Sequence, residues 1–279
     1  MSDGRTIRVG TRGSPLARAQ TAAVVARLRE LGHAVEIETI TTVGDVRTDV
    51  PIAGIVHEPG SGDGVFVREL ERALLEGRID AAVHSLKDLP TAVPEGLAIG
   101  CVPERVTPFD VLVGQAGVTL ATLPAGAVVG TSSIRRVVQV KALRPDLTVK
   151  AIRGNVDTRL RKLDAGECDC LILAGAGLHR LGLAGRITEV LGPPAFWPAV
   201  AQGAVAVEIR VGDGNMRQAL APLDDAAAHA AVRAERSCLA ALAGGCLAPI
   251  GGWARSVGDR LTLGAAVFEE HAAAVRAVS

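Results

Sequence analysis

A cysteine that follows two glycines near the end of the chain, Cys246, has a pattern suited to chemistry. The alanine-rich run Ala226–Ala243 before it is predicted to be helical, and the glycines can close that helix with a left-handed residue. Pro249 prevents the helix from resuming. The pattern predicts a thiol in a tight turn, where a bulky group can reach the sulfur without meeting a Cβ atom of either glycine. Taken alone, however, the stretch favours a buried structural cysteine.

A single acid, Asp88, is the second candidate. It follows the apolar segment Ile79–His84, close to Lys87. In a cleft, this carboxyl group could protonate a leaving group or stabilise a developing cation. An ion pair with Lys87 is the commoner use of such an acid. The spacing contains no Ser-His-Asp or Cys-His arrangement, so hydrolytic catalysis has no support.

Several arginines lie at or just after the ends of predicted strands and the starts of predicted helices. Such positions are on the ligand-binding edge of α/β sheets. Guanidinium groups bind carboxylates with paired hydrogen bonds, and helix N-termini add backbone donors. No glycine-rich phosphate-binding motif is present, so a ligand with several carboxylates is favoured. The arginines are Arg12, Arg135, Arg136, Arg153, Arg159 and Arg180.

The elements that must position these residues alternate between strands and helices, which predicts a largely parallel sheet covered on both faces. Ser14 is a suitable N-cap for the first helix, with Pro15 at its first position. The predicted strands are Thr6–Gly10, Ala34–Thr42, Ile79–His84, Ala127–Gly130, Leu147–Ile152, Cys170–Leu173, Val205–Arg210 and Arg260–Phe268. The predicted helices run from Pro15 to about Glu30, from Val65 to Glu76, from Val156 to Ala165 and from Ala226 to Ala243. A further helix, which carries Arg135 and Arg136, is predicted to follow the cap Thr131–Ser133.

An internal similarity divides the chain. Val9–Ser14 and Val129–Ser133 share the order strand, turn and cap, which predicts two similar α/β domains with a ligand cleft at the carboxyl ends of their strands. One large sheet is the alternative, but the proline-bearing segment Pro103–Pro108 favours a boundary. We predict that Val205–Arg210 returns to the first domain. The predicted domains are residues 1–103 with 203–222, residues 108–198, and a small α+β domain of residues 224–279.

The composition narrows the class of protein. Basic and acidic residues balance at 30 each, and aromatic residues make up 2% of the 279, which argues against nucleic acid as a partner. No stretch approaches the length of a membrane span, and the first residues lack the apolar run of a secretion signal. Five cysteines, an odd number, argue against a disulfide framework and for the cytoplasm. Cys168 and Cys170 are interpreted as core thiols, and no metal site is expected.

Four motifs in order resemble the porphobilinogen deaminase family, and matching stretches run from Ile7 to about Phe268. The resemblance implies two domains similar to periplasmic binding proteins, followed by a third. It also implies a dipyrromethane cofactor, attached to Cys246 by a thioether. The motifs are Val83–Pro90, Val129–Arg136, Arg153–Arg159 and Gly244–Cys246.

The resemblance also implies a reaction: four porphobilinogens are joined head to tail with loss of ammonia, and the linear tetrapyrrole is released by hydrolysis. Asp88 matches the catalytic carboxylate, and a monomer is expected. The residues that match cofactor-binding positions are Lys87, Thr131, Ser133, Arg135 and Arg136. Those that match positions for the acetate and propionate arms of the substrate are Arg12, Ser14, Arg153, Arg159 and Arg180.

One segment departs from the family pattern. Ile52–Gly64 is longer than the loop that usually covers the site, and Asp63 stands where a lysine is common. Its glycines predict a mobile lid. The alternative function is a non-catalytic polycarboxylate-binding protein of the same two-domain build. It explains the arginines but leaves the Gly-Gly-Cys turn without a use, and such proteins normally carry an export signal.

Overall fold

The computed structural model describes residues 5–41, 67–242, 249–268 and 275–278, and within these ranges the strands form three sheets. The strands are β1 Ile7–Thr11, β2 Val35–Thr39, β3 Ala81–Ser85, β4 Leu97–Cys101, β5 Asp110–Val113, β6 Val128–Gly130, β7 Thr148–Lys150, β8 Cys170–Ala174, β9 Glu189–Leu191, β10 Val205–Arg210, β11 Ile250–Val257, β12 Arg260–Phe268 and β13 Val275–Val278. The α-helices are α1 Pro15–Glu30, α2 Arg68–Leu75, α3 Ile134–Leu143, α4 Val156–Asp164, α5 Gly175–Arg180, α6 Gly214–Leu220 and α7 Ala226–Ala241. None of these helices is long and apolar enough to cross a membrane.

The two larger sheets share one topology. The first has the strand order β2-β1-β3-β10-β4, and the second has the order β7-β6-β8-β5-β9. In each sheet four strands run in one direction, and one strand (β10 or β5) lies antiparallel between two of them. The predicted α/β class and the internal similarity are therefore confirmed, and β10 returns to the first sheet as predicted. The sheets are mixed because the strand that enters from the other half of the chain runs in the opposite direction.

The first compact unit comprises Met1–Arg105 and Ala204–Ala230. Helices α1 and α6 cover one face of its sheet, where Leu28 and Leu220 are buried. Helix α2 covers the other face with Leu70 and Leu74. Burial on both faces accounts for the run of four buried residues, Ala81 to His84, in β3.

The second compact unit comprises Val106–Gly203 and Ala231–Ser279. Along β8, Cys170 and Ile172 face one core cluster while Leu171 and Leu173 face another, as the two-residue period of a strand requires. The antiparallel sheet β11-β12-β13 packs on α3 in this unit. The division of the chain into three domains at the predicted boundaries stays a prediction.

Trp197 fills the contact between α3 and the C-terminal sheet. Its side chain clusters with Val138, Ala266 and Phe268. A Cβ atom on Gly264 would lie 2.5 Å from the Trp197 ring, so this position on β12 must remain glycine for the ring to fit. The C-terminal sheet is thus fixed to the helix that carries Arg135 and Arg136.

Several element boundaries agree closely with the sequence prediction. α1, β10 and β12 have the predicted limits, and α7 is helical to Ala241. Strands β4, β5, β9, β11 and β13 were not predicted. Two of these, β5 and β9, have four and three residues, too few to establish a period of two.

A buried ionisable cluster lies between α2 and the first sheet. The Nε2 atom of His84 is 3.2 Å from Oε2 of Glu208, and these side chains are 2% and 0% exposed. Burial raises the pKa of the nearby Glu71 carboxyl, and the negative charge of Glu208 raises it further, against the lowering effect of His84 and Arg68. The folded protein therefore holds a proton on Glu71 more tightly than the unfolded chain does.

We expect E71Q to stabilise the protein more at pH 8 than at pH 5. A carboxyl whose folded-state pKa is raised loses its stability contribution as the pH rises through that pKa, and the neutral amide of similar size removes this loss. Urea unfolding at both pH values measures the change. E95Q, at an exposed acid, is the control and should show no pH-dependent gain. An equal effect of E71Q at both pH values would contradict the assignment.

Candidate active site

Arg12 and Ser14 lie directly after β1, at the start of α1. The Ser14 hydroxyl accepts a hydrogen bond from the backbone N–H of Ala17 at 3.2 Å, so the predicted N-cap is confirmed. Pro15 occupies the first helical turn, where its missing N–H costs nothing. Arg12 is half-buried and interacts with other parts of the protein.

Asp88 is placed by the short 3-10 helix Leu86–Asp88, which follows β3 directly. Because β1 and β3 are parallel neighbours, the turn after β1 and the turn after β3 meet at the same edge of the sheet. Ser85 exchanges hydrogen bonds with Gln20 of α1, at 2.9 and 3.2 Å, and this fixes the end of β3. Asp88 is half-buried, and within the described ranges its carboxylate has no ion-pair partner. Among the described residues, no ion pair joins Asp88 to Lys87, which was the commoner alternative.

Thr131 and Ser133 occupy the matching place in the second sheet, after β6. Thr131 is buried, and its Oγ1 atom accepts a hydrogen bond from the N–H of Ser133 at 3.2 Å. Ser133 is at the N-cap position of α3, but its hydroxyl makes no capping bond. The prediction that a side chain of Thr131–Ser133 caps this helix is therefore wrong, and the half-buried Ser133 hydroxyl is not used for capping.

Arg135 and Arg136, in the first turn of α3, are both buried and both bind Asp110 at the start of β5. Nη1 of Arg135 donates to Oδ2 of Asp110 at 2.7 Å, and also to the carbonyl oxygen of Trp197. Nε and Nη2 of Arg136 donate to Oδ1 at 3.0 and 2.7 Å. Burial alone would raise the pKa of Asp110, but the two guanidinium groups lower it to about 2. Asp110 is therefore ionised under all working conditions.

Arg153 and Arg159 lie at the next helix start, after β7. Nε of Arg159 donates to the carbonyl oxygen of Gly154 at 2.7 Å. Gly154 has φ +116°, and a Cβ atom there would lie 2.7 Å from Thr158, so the turn depends on glycine. Burial, with the charges of Arg136 and Arg153, lowers the pKa of Arg159 to about 10. The Nη1 atom of Arg153 is buried and has no acceptor among the described residues.

Arg180 ends α5, the helix that follows β8. Its Nη2 atom donates to the carbonyl oxygen of Gly203 at 2.8 Å, and burial lowers the pKa of its guanidinium. Arg153, Arg159 and Arg180 form no ion pair within the described ranges. With Arg135 and Arg136 they form an excess of positive charge at the carboxyl edge of the second sheet, and Asp110 offsets only one unit of it. An arrangement of this kind favours an anionic ligand.

The structure therefore gathers the predicted residues into two groups, one in each unit. The first unit holds Arg12, Ser14, Lys87 and Asp88, and the second unit holds the remaining described site residues. Cys246 and the predicted lid Ile52–Gly64, with Asp63, lie outside the described residues. No group of three or more potential metal ligands occurs in the part of the chain that the structure describes.

Comparison with known proteins identifies the family. A profile described as "Porphobilinogen deaminase, dipyromethane cofactor binding domain" matches residues 7–218, and one described as "Porphobilinogen deaminase, C-terminal domain" matches residues 229–278. The chain belongs to the porphobilinogen deaminase family.

Individual relatives agree with this assignment. The porphobilinogen deaminase of Syntrophobacter fumaroxidans is 50% identical over 261 residues, which cover 93% of this chain and 83% of the relative. That of Roseiflexus castenholzii is 51% identical and covers 92% and 84%, and that of Mycolicibacterium paratuberculosis is 47% identical and covers 95% and 81%. Among solved structures, the methionine-binding protein MetQ matches with a TM-score of 0.49 at 14% identity and covers 84% of this chain and 94% of MetQ.

Two residues of the site, Asp110 and Gln202, were not predicted from the sequence. Gln202 is buried, and its Nε2 atom donates to Oδ1 of Asp110 at 3.0 Å. The one available signal was Asp110 itself, since an acid next to the apolar run Val111–Val113 must find partners if that run is a buried strand.

The capping difference between the two sheets predicts different roles for their serines. We expect S14A to lower the free energy of unfolding by about 1 kcal/mol, because it removes the bond to the N–H of Ala17. S14D should retain this stability, since aspartate also caps helices. S133A should change it by less than about 0.5 kcal/mol. Urea unfolding without ligand measures all three, and equal losses for S14A and S133A would contradict the capping assignment.

Proposed function

We propose that this chain is a hydroxymethylbilane synthase, which condenses four porphobilinogen molecules onto a dipyrromethane attached to Cys246 and then releases the linear tetrapyrrole by hydrolysis. The observation that carries the proposal is the excess of guanidinium groups at the carboxyl edge of the second sheet, where two are buried and three are half-buried. Porphobilinogen and its oligomers carry an acetate and a propionate on every ring, so they supply the anions that this edge requires.

The residues present fit a ligand that carries several carboxylates, as the dipyrromethane and the porphobilinogen units added to it both do. The buried Nη1 atom of Arg153 has no acceptor among the described residues, and the Arg159 guanidinium is desolvated next to two other cations. Both features favour a bound carboxylate, which would supply the missing acceptor and offset the charge. The residues proposed to hold the cofactor carboxylates are Lys87, Thr131, Ser133, Arg135 and Arg136. When bound, the dipyrromethane supplies the primer to which porphobilinogen units are added.

The incoming porphobilinogen is proposed to bind through Arg12, Ser14, Arg153, Arg159 and Arg180. These side chains orient the acetate and propionate arms, and orientation of this kind turns a bimolecular condensation into an effectively intramolecular one. Arg159 remains charged at neutral pH because its pKa, although lowered, is about 10. Its N–H groups thus stay available as donors throughout a catalytic cycle.

Asp88 is proposed to be the catalytic carboxyl group. When the amino group of porphobilinogen leaves as ammonia, the bond between its nitrogen and the methylene carbon breaks, and the remaining methylene-pyrrole carries a positive charge. A half-buried carboxylate without a competing ion pair can assist this departure and stabilise the cation. The same step recurs for each added unit, so one acid can serve every cycle.

The proposed setting is the cytoplasm, and the proposed state is a monomer. Cys101, Cys168 and Cys170 are buried free thiols, which supports a reducing compartment. Burial raises the pKa of Cys101 and of Cys170 to about 12, so these thiols are unreactive. The monomer rests on the family resemblance, and sedimentation of the purified protein tests it.

Intact-mass measurement tests the covalent attachment. We expect the freshly purified protein to be heavier than its sequence by one dipyrromethane, and C246A to lack the addition. C238A is the matched control: Cys238 is a half-buried thiol on α7 and should keep the adduct. Unmodified wild-type protein, or an adduct on C246A, would exclude Cys246 as the attachment site.

The role of Asp88 is tested by D88N, which keeps the side-chain size and removes the charge. We expect an unchanged circular dichroism spectrum and a loss of ammonia release from porphobilinogen of about 10²- to 10⁴-fold. E36Q, at an exposed acid on β2, should retain full activity. Activity of D88N within a few-fold of wild type would remove Asp88 from its role. If wild-type protein binds porphobilinogen without consuming it, the polycarboxylate-binding alternative replaces the enzyme.

A further inference from the structure

Two guanidinium groups from consecutive residues of α3 converge on one point. Neighbouring residues on an α-helix point about 100° apart, so the side chains of Arg135 and Arg136 should diverge. They instead meet at the two oxygens of Asp110, with three N–H···O bonds of 2.7 to 3.0 Å. The shared carboxylate is the reason that the two heads lie together.

The electrostatics of this group depend on the same carboxylate. The Arg135 and Arg136 side chains are 5% and 6% exposed, and Asp110 is fully buried. Two adjacent guanidinium groups without a counter-ion would repel each other in a region of low dielectric constant. Asp110 reduces the charge of the set from two units to one and so allows both arginines to be buried.

Gln202 holds Asp110 independently of the arginines. Its Nε2 atom donates to Oδ1 of Asp110 at 3.0 Å and to the carbonyl oxygen of Pro108 at 2.8 Å. Its Oε1 atom is left to accept from Nη2 of Arg136 at 3.4 Å. The side-chain amide thus has one consistent orientation, and it fixes the carboxylate to the segment that leads into β5.

The remaining donors show what this anchoring leaves for a ligand. Within the described ranges, Nε and Nη2 of Arg135 have no acceptor. Arg136 makes four hydrogen bonds, of which two go to Asp110, one to the carbonyl oxygen of Ile172 and one to Gln202. Asp110 thereby determines which N–H groups of the pair are used inside the protein and which remain for a ligand.

We propose that Asp110 is a positioning residue for cofactor loading: its carboxylate holds Arg135 and Arg136 together so that their remaining N–H groups receive the dipyrromethane carboxylates as one unit. The inference rests on the proposed function. It differs from a simple charge effect, because removal of Asp110 makes the arginine pair more positive. If charge alone governed loading, D110N would load more readily than wild type.

The test uses apoprotein produced in cells that make no porphobilinogen. Porphobilinogen is then added over a range of concentrations, and the covalent adduct is followed by intact mass. We expect D110N to need a porphobilinogen concentration at least about ten-fold higher for half-maximal loading, counted per folded molecule. D110E keeps the charge and should lie between D110N and wild type.

Two further variants keep the test decisive. D80N is the matched control, since Asp80 is a buried acid that binds Arg5, Arg8 and Arg210 in the first unit, whereas Asp110 belongs to the second. It should lower stability and leave loading unchanged. If D110N does not fold, Q202L provides the test, because it keeps all three charges and removes the amide that holds Asp110 to the Pro108 carbonyl oxygen. We expect Q202L to slow loading several-fold.

The outcomes separate the two proposals. If wild-type apoprotein gains no adduct, the proposed function fails. If wild type loads and the folded D110N, D110E and Q202L proteins load equally well or better, the positioning role of Asp110 is overturned while the proposed function stands.

Discussion

Positive charge held out of water is the constraint on which the second half of this structure depends. Five arginines lie at the ends of β6, β7 and β8, and Asp110 is the one acid found in ion pairs with them in the described ranges. Two of these arginines are buried and three are half-buried, and such uncompensated charge is costly unless an anion shares the site. The acetate and propionate groups of the proposed ligand would supply that anion.

The twin sheets explain why each half presents its polar residues at one edge. In both halves a strand runs into a turn and a helix N-terminus, and the neighbouring parallel strand ends beside it. The first half uses this edge for an acid without an ion pair, Asp88, and the second uses it for guanidinium groups. In the proposed function, the same local geometry serves a chemical step in one unit and anion recognition in the other, because different residues follow the strands.

Much of the fold was accessible from sequence because its signals are local. Ser14 and Pro15 define a helix start by capping and by fixed φ, and α1 begins there. The apolar run of β8 is continuous because both faces of its strand are covered, and the strand follows the prediction to within a residue. Strands β4, β5 and β9 were not predicted from the sequence, because short edge and return strands are specified by their neighbours in the sheet. For α3, the sequence predicted the position of the N-cap correctly, but the hydroxyl of Ser133 makes no capping hydrogen bond.

The sequence alone determined the residue types of the site, their order along the chain and their places after strands, because turn and cap chemistry acts over a few residues. It also established the family resemblance through motifs that are each contiguous. Tertiary structure decided which charges meet. Asp110 lies 25 residues before Arg135 in the chain, and Gln202 lies 66 residues after Arg136, yet all of them form one hydrogen-bonded group. Contacts of that separation arise only when the sheet brings distant segments together, and no local pattern encodes them.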